Sequence, residues 1–204
     1  MTAHDPTGLP AGLPVPTDDG AANHLPGLGL PPVPLPSTGG DEIDLAEASN
    51  GRTVVVFCYP KTGRPGVEMP AGWDDIPGAR GCTPEACAFR DLKADFDELG
   101  AGLYGLSTQT PDYQREAVER LGLSYALLSD AGLRLTRALR LPVMNIAGET
   151  LIRRTTLILR DGRIESVFYP VFPPDGHAAE VLVRLRGGWV AFRRRPERKE
   201  AFEW

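Results

Sequence analysis

The sequence predicts an α/β protein, with a mixed β-sheet flanked by helices and an N-terminal arm rich in Pro and Gly. The prediction rests on an apolar, β-branched stretch that reads as a central strand, on the alternation of strand and helix patterns after it, and on a late pair of strands turned at Asp161-Gly162. The 204 residues suit one domain with appended segments, and a hydrophobic share of 42% is enough for a packed core.

Residues 1–40 hold prolines at short intervals, as in Leu30-Pro31-Pro32-Val33-Pro34-Leu35-Pro36, which excludes a helix. Leu and Val recur between the prolines, so part of this segment is expected to wrap the domain. Over 28–45 a hairpin is expected, turned at Ser37-Thr38-Gly39-Gly40. Thr53-Val54-Val55-Val56-Phe57-Cys58-Tyr59 reads as a strand buried on both faces. A Pro- and Gly-rich stretch, 60–81, forms a long loop of the kind that usually carries function. A helix follows over 83–99, with Thr83 as its cap, Pro84 at its first position and Glu85 in its first turn. Ala86, Phe89, Leu92, Phe96 and Leu99 give it an apolar face. Strands are then expected over 102–107, 125–128, 151–159 and 163–168, and helices over 111–121, 130–139 and 177–185. The chain thus divides into an arm (1–27), a main domain (28–185) with an inserted loop (63–80), and a basic, aromatic tail (186–204).

The chemistry concentrates at Gly81-Cys82-Thr83-Pro84-Glu85-Ala86-Cys87, where the long loop enters a helix. Thiolate is the reactive form of cysteine, and the N-terminus of a helix stabilises it. Free backbone N–H groups there also suit a departing oxygen anion. Cys82 is therefore placed as a nucleophile, although both cysteines could instead be small core residues, a reading that suits Cys87 better than Cys82. In an ideal helix, positions five apart lie about 140° apart in angle and roughly 7.5 Å apart along the axis. Their Cα atoms are then roughly 8.7 Å apart, beyond disulfide reach, so bonding Cys82 to Cys87 requires the helix start to unwind. Cys58, inside the apolar strand, reads as a core residue.

These blocks resemble the peroxiredoxins, and within them the bacterioferritin-comigratory-protein or Q-type branch. Val54-Val55-Val56-Phe57-Cys58-Tyr59-Pro60-Lys61 is similar to the family strand that leads into Tyr-Pro-Lys. The run from Gly81 to Asp91 is similar to the Q-type signature, and Arg154-Thr155-Thr156-Leu157-Ile158-Leu159 to the strand bearing the family arginine. Gly105-Leu106-Ser107 and Leu127-Leu128-Ser129-Asp130 fall in the expected order between them. The resemblance covers 28–185. It implies a thioredoxin-like fold and a thiol peroxidase acting on hydrogen peroxide and organic hydroperoxides. Cys82 would become a sulfenic acid, Cys87 would resolve it as an intramolecular disulfide, and a thioredoxin-like dithiol would restore both. Arg154 matches the family arginine, and a guanidinium beside the thiolate lowers its pKa and orients peroxide. Arg154 rather than Arg153 is expected to point inward, since strand side chains alternate.

One block departs from the family. Asp75 and Ala79 stand where a Pro and a Thr or Ser usually precede the peroxidatic cysteine, whereas Pro60, Lys61 and Thr62 match the start of that pattern. Thr62 is placed to fold back onto Cys82 with the insertion looping out. The alternative is that a backbone group or another side chain has taken its role. Trp73 and Arg80, in the insertion, read as a packed anchor and a solvated charge rather than as shapers of access.

A formal net charge of −5 argues against nucleic acid as a partner, and no apolar run approaches a membrane span. The three cysteines are too few and too odd in number for a secreted disulfide scaffold, and no secretory signal is visible, so a cytoplasmic protein is expected. The scattered His4, His24 and His177 supply no metal set, no cofactor is called for, and monomer and homodimer are both compatible with the chain. A peroxide-sensing thiol switch and an inactive interaction module share the same residues. Turnover with a dithiol separates the first from an enzyme, and reactivity of Cys82 separates the second.

Overall fold

A computed structural model describes residues 9, 10 and 12–187. Residues 188–204 of the basic, aromatic tail lie outside the described residues, as do residues 1–8 and 11 of the arm.

The arm runs into a short hairpin, β1 (Pro34–Pro36) against β2 (Glu42–Asp44), then helix α1 (Leu45–Ala48). Strand β3 (Thr53–Cys58) follows, and then the long loop, which contains a single 3₁₀ turn at Trp73–Asp75. Helices α2 (Cys82–Asp91) and α3 (Lys93–Glu98) lead to β4 (Gly102–Ser107), α4 (Pro111–Leu121), β5 (Leu127–Ser129) and α5 (Arg134–Leu139). The chain then forms a hairpin, β6 (Val143–Ile146) with β7 (Glu149–Ile152), before β8 (Thr155–Arg160), β9 (Arg163–Phe168) and α6 (His177–Arg186).

The main sheet has five strands in the order β5-β4-β3-β8-β9. β3 runs parallel to β4 and antiparallel to β8, so the sheet is mixed. This is the α/β architecture with a mixed sheet and flanking helices that the alternating pattern predicts. Strand periodicity builds two cores. Val55, Phe57 and Tyr59 pack on one face against Phe89 of α2, Ala117 of α4 and Val181 of α6. Val54, Val56 and Cys58 pack on the other against Leu135 of α5, Leu45 of α1 and the arm residues Ala22 and Leu25. The arm thus wraps the domain: Gly27 donates to the Ile164 carbonyl at 2.7 Å and Leu30 to that of Gly162 at 2.8 Å.

Several elements differ from the sequence expectation. The helix over 83–99 is two helices, broken at Leu92, whose φ of −101° and ψ of 9° leave the helical region. The break turns Leu99 outward, 41% exposed, so it is no part of the apolar face. The cap is Gly81, not Thr83, and Pro84 stands at the third helical position rather than the first. Asp161 and Gly162 do turn β8 into β9, with φ of 49° and 70°, as their Asp-Gly sequence favours. The strand over 151–159 is split at Arg153 and Arg154: β7 pairs with β6, and only β8 joins the main sheet. The helix over 130–139 begins later, at Arg134, because the buried Asp130 serves as its acceptor. Its carboxylate accepts from the Arg134 N–H at 2.7 Å, the Thr136 N–H at 2.7 Å and the Thr136 hydroxyl at 2.6 Å. Asp130→Ala is therefore expected to lower unfolding free energy by about 2 kcal/mol, measured by urea denaturation; a loss near zero would show that water replaces the carboxylate.

Candidate active site

Position 81 has φ of 107°, which favours glycine, and a Cβ there would stand 2.4 Å from Pro174 and 3.0 Å from Leu9. This tight passage delivers the chain into α2 with Cys82 as its first helical residue. The Glu85 N–H donates to the Gly81 carbonyl at 3.0 Å and closes the first turn. Cys82 is only 3% exposed.

Around the Cys82 sulfur, the Lys61 N–H donates at 3.4 Å and Arg154 Nη2 at 3.3 Å. The thiol in turn lies 3.6 Å from the Ala79 carbonyl. Burial pushes the Cys82 thiol up; Arg154 pulls it down, Glu85 pushes it up, and the Lys61 N–H again pulls it down. Thus the groups that favour thiolate are the guanidinium and the backbone donor, and what opposes them is chiefly the cover over the site.

Arg154 is buried and points inward beside Cys82, while Arg153 meets Asp19 and Tyr169 at the surface; both stand in the break between β7 and β8, so the bend there and not strand alternation sets their directions. Arg154 Nη1 donates to Glu85 Oε2, and Nη2 also donates to the Arg80 carbonyl at 3.1 Å. The Glu85 carboxyl, wholly buried, is pushed up to about 7 by desolvation against the pull of Arg154. Glu85 was read from the sequence only as an acid favouring a helix start. Its partner is invisible there because 69 residues separate them.

Thr62 is buried but faces elsewhere. Its N–H and its hydroxyl both donate to Gln109 Oε1 at 3.1 Å, and its carbonyl accepts from Tyr113 at 3.2 Å. The donor to Cys82 on this side is the preceding backbone N–H, of Lys61, so Thr62 holds the loop that carries the donor. Gln109 carries no motif, and nothing in the sequence singles it out.

Cys87 is partly buried and in no disulfide, near Arg90 and Arg120, and burial pushes its thiol up. Cys58 lies on the opposite face of the sheet, among apolar side chains, and its thiol is pushed far up by burial. In the insertion, Trp73 is a packed anchor, as expected. Arg80 is buried and pairs with Asp74 at 3.1 Å rather than being solvated. His177 is a packing residue: Nε2 meets the Thr156 hydroxyl at 2.8 Å, and burial pushes the imidazole down.

In a cysteine at a helix start with a buried arginine on its sulfur and a backbone N–H opposite, the two donors pull toward thiolate, while burial leaves the thiol raised overall. A family model described as Redoxin matches residues 11–182. A chloroplastic peroxiredoxin Q of Gentiana triflora is 30% identical over 156 residues, 76% of this chain and 64% of that protein. A putative peroxiredoxin bcp of Coxiella burnetii is 30% identical over 162 residues, 78% of this chain and 97% of that one. Among solved structures, the peroxidoxin BcpB of Mycobacterium tuberculosis superposes with a TM-score of 0.65 at 29% identity, covering 80% of this chain and 98% of that one. A peroxiredoxin Q of Xanthomonas campestris gives 0.62 at 28% identity, over 79% and 96%.

Proposed function

Because this chain belongs to the redoxin family and, within it, to the bacterioferritin-comigratory-protein or Q-type branch of the peroxiredoxins, we propose that it reduces peroxides through Cys82, with Cys87 as the resolving thiol. The observation that carries this reading is the contact of Cys82 Sγ with Arg154 Nη2, 3.3 Å apart and buried at the first residue of α2. The thiolate attacks one peroxide oxygen, the O–O bond breaks, and the leaving oxygen takes a proton to become water or alcohol. Cys82 is left as sulfenic acid. Cys87 as thiolate then attacks that sulfur, hydroxide leaves, and a disulfide forms. An external dithiol of the thioredoxin kind returns both cysteines to thiols by exchange.

The resolving step demands movement. Cys82 and Cys87 sit on one continuous helix, too far apart to bond while it stays wound. The buried pair between Glu85 and Arg154 ties the first turn of α2 to the entry of β8, so unwinding also parts that pair. Sulfenic acid has no full negative charge to hold the guanidinium, which favours release once oxygen has been transferred.

Intact mass after one equivalent of peroxide tests the sequence of steps. Wild type is expected to lose the mass of two hydrogens, and Cys87→Ser to gain one oxygen instead. Oxidation of the wild type that halts at an added oxygen would remove Cys87 from the mechanism. Oxidised wild type that no dithiol can return to turnover would mark a sensor rather than an enzyme.

A further inference from the structure

The insertion ends in three carbonyls that face one cation. Arg154 Nη2 donates to the Arg80 carbonyl at 3.1 Å and lies 3.4 Å from that of Gly78 and 3.5 Å from that of Ala79, besides its 3.3 Å contact with Cys82 Sγ. A terminal guanidinium nitrogen carries two protons, so four acceptors share them. Nη1 is taken by Glu85, and Nε is buried with no partner among the described residues. The grip on this buried cation therefore has two halves. One comes from α2, through Cys82 and Glu85, and the other from the carbonyls of 78–80.

The second half rests on a small core of its own. Trp73, Ile76 and Ala79 pack with Leu151 of β7 and Met144 of β6. Met144 and Leu151 are partners in the β6–β7 hairpin, which leads directly into Arg154. The insertion and the arginine thus hang from the same hairpin. Arg80, whose carbonyl is the nearest of the three, is pinned in turn by its own side chain, with Nη1 at 3.1 Å from Asp74 Oδ1. Pro16 of the arm covers Gly78 from outside, 3.7 Å from where a Cβ would stand. None of these supporting contacts involves α2.

Resting on the Cys82–Cys87 cycle above, we propose that the insertion is a positioning element, which holds the Arg154 guanidinium in place both while Cys82 lies beside it and while α2 unwinds to form the disulfide. Trp73 and Asp74 are its positioning residues, since they act through the carbonyls and touch no reacting atom. A buried cation stripped of its partners is costly. The carbonyl oxygens accept its protons while Cys82 and Glu85 are away, and the helix rewinds onto a cation already in place.

Two measurements test this. The first is the rate at which iodoacetamide alkylates Cys82 across pH, followed by peptide mass so that Cys87 is read apart. Trp73→Ala and Asp74→Ala are each compared alone and combined with Arg154→Met. Each is expected to slow alkylation at pH 7 by about threefold, with the midpoint of the pH profile raised by about half a pH unit, and to change nothing further once Arg154 is gone. An equal effect with and without Arg154, or none in either, would overturn the positioning role. The Asp74 side chain is about half exposed, so its variant keeps the question decidable should Trp73→Ala fail to fold. The second measurement is hydrogen exchange, read by mass spectrometry in the reduced and disulfide forms. Peptides over 72–80, where the N–H groups of Trp73, Asp75, Ile76 and Ala79 are hydrogen-bonded, are expected to keep their protection while those over 82–91 lose it. Loss over both would mean that the carbonyls leave with the helix, against the proposal. If no disulfide forms, the two-cysteine reading fails, and alkylation decides the role of the insertion alone.

Discussion

Replacing Cys82 by serine is expected to reduce peroxide consumption by about a thousandfold or more, with folding unchanged. Serine is nearly the same size, so α2 should keep its start at position 82 and the Phe57–Phe89 stack, at 4.4 Å between ring centres, should keep its packing. What is lost is the ionisation. A serine hydroxyl stays protonated beside Arg154 at neutral pH, and an alcohol does not accept oxygen from a peroxide as sulfur does. Peroxide kinetics with a dithiol regenerating system, alongside a urea melt, separates the two effects. A variant that still turns over at a tenth of the wild-type rate would move the nucleophile elsewhere, and Cys87 would be the next thiol to examine.

Removing the cation should act on two properties at once. Arg154→Met takes away the charge 3.3 Å from the sulfur, so the thiolate fraction falls and kcat/KM should drop by about a hundredfold. It also strands Glu85, which is wholly buried and whose Oε1 has no hydrogen-bond partner among the described residues. Breaking a buried pair from one side costs about 3–5 kcal/mol when the remaining charge stays put. Glu85 has an escape, because desolvation already pushes it from 4.5 to about 7, and without Arg154 it is driven higher still. A carboxyl whose folded pKa lies above its unfolded value binds its proton more tightly when folded. Its contribution is therefore whole at low pH and is lost as pH rises through the folded pKa. The variant should consequently lose stability relative to wild type as pH rises above about 7, as urea melts on either side of that pH would show. Arg154→Met combined with Glu85→Gln should regain much of the stability at high pH and none of the activity. Recovery of activity in the double variant would show that Arg154 acts through packing rather than charge.

The parts of this site that could be read from the sequence are those encoded locally. The apolar run of β3 and the cysteine at the mouth of a helix each follow from neighbouring residues. Other features depend on contacts between distant ones. The glycine cap needs its φ of 107° because Pro174 and Leu9 close around it. Thr62 turns away because Gln109 offers a buried acceptor to both of its donors. The hairpin of β6 and β7 turns at Ala147-Gly148, where Ala147 takes a φ of 50°. Alanine is a weak turn signal there, which is why the run from 151 read as one long strand. Prolines in the arm marked it as irregular, but composition alone does not say that it lies across the insertion.

The register of β3 against β8 has a consequence for the birth of the protein. Cys58, the last residue of β3, faces Thr155, the first of β8, and this antiparallel meeting is what sets Arg154 beside the loop leading to Cys82. The two sides of the reaction centre are 72 residues apart in the chain. A ribosome that has released the chain only as far as α4 has therefore exposed the thiol without its cation. Such a thiol lacks the cation that pulls it toward thiolate until β8 emerges and pairs with the central strand β3. The pull of Arg154 on the sulfur is in this way absent until β8 has been made.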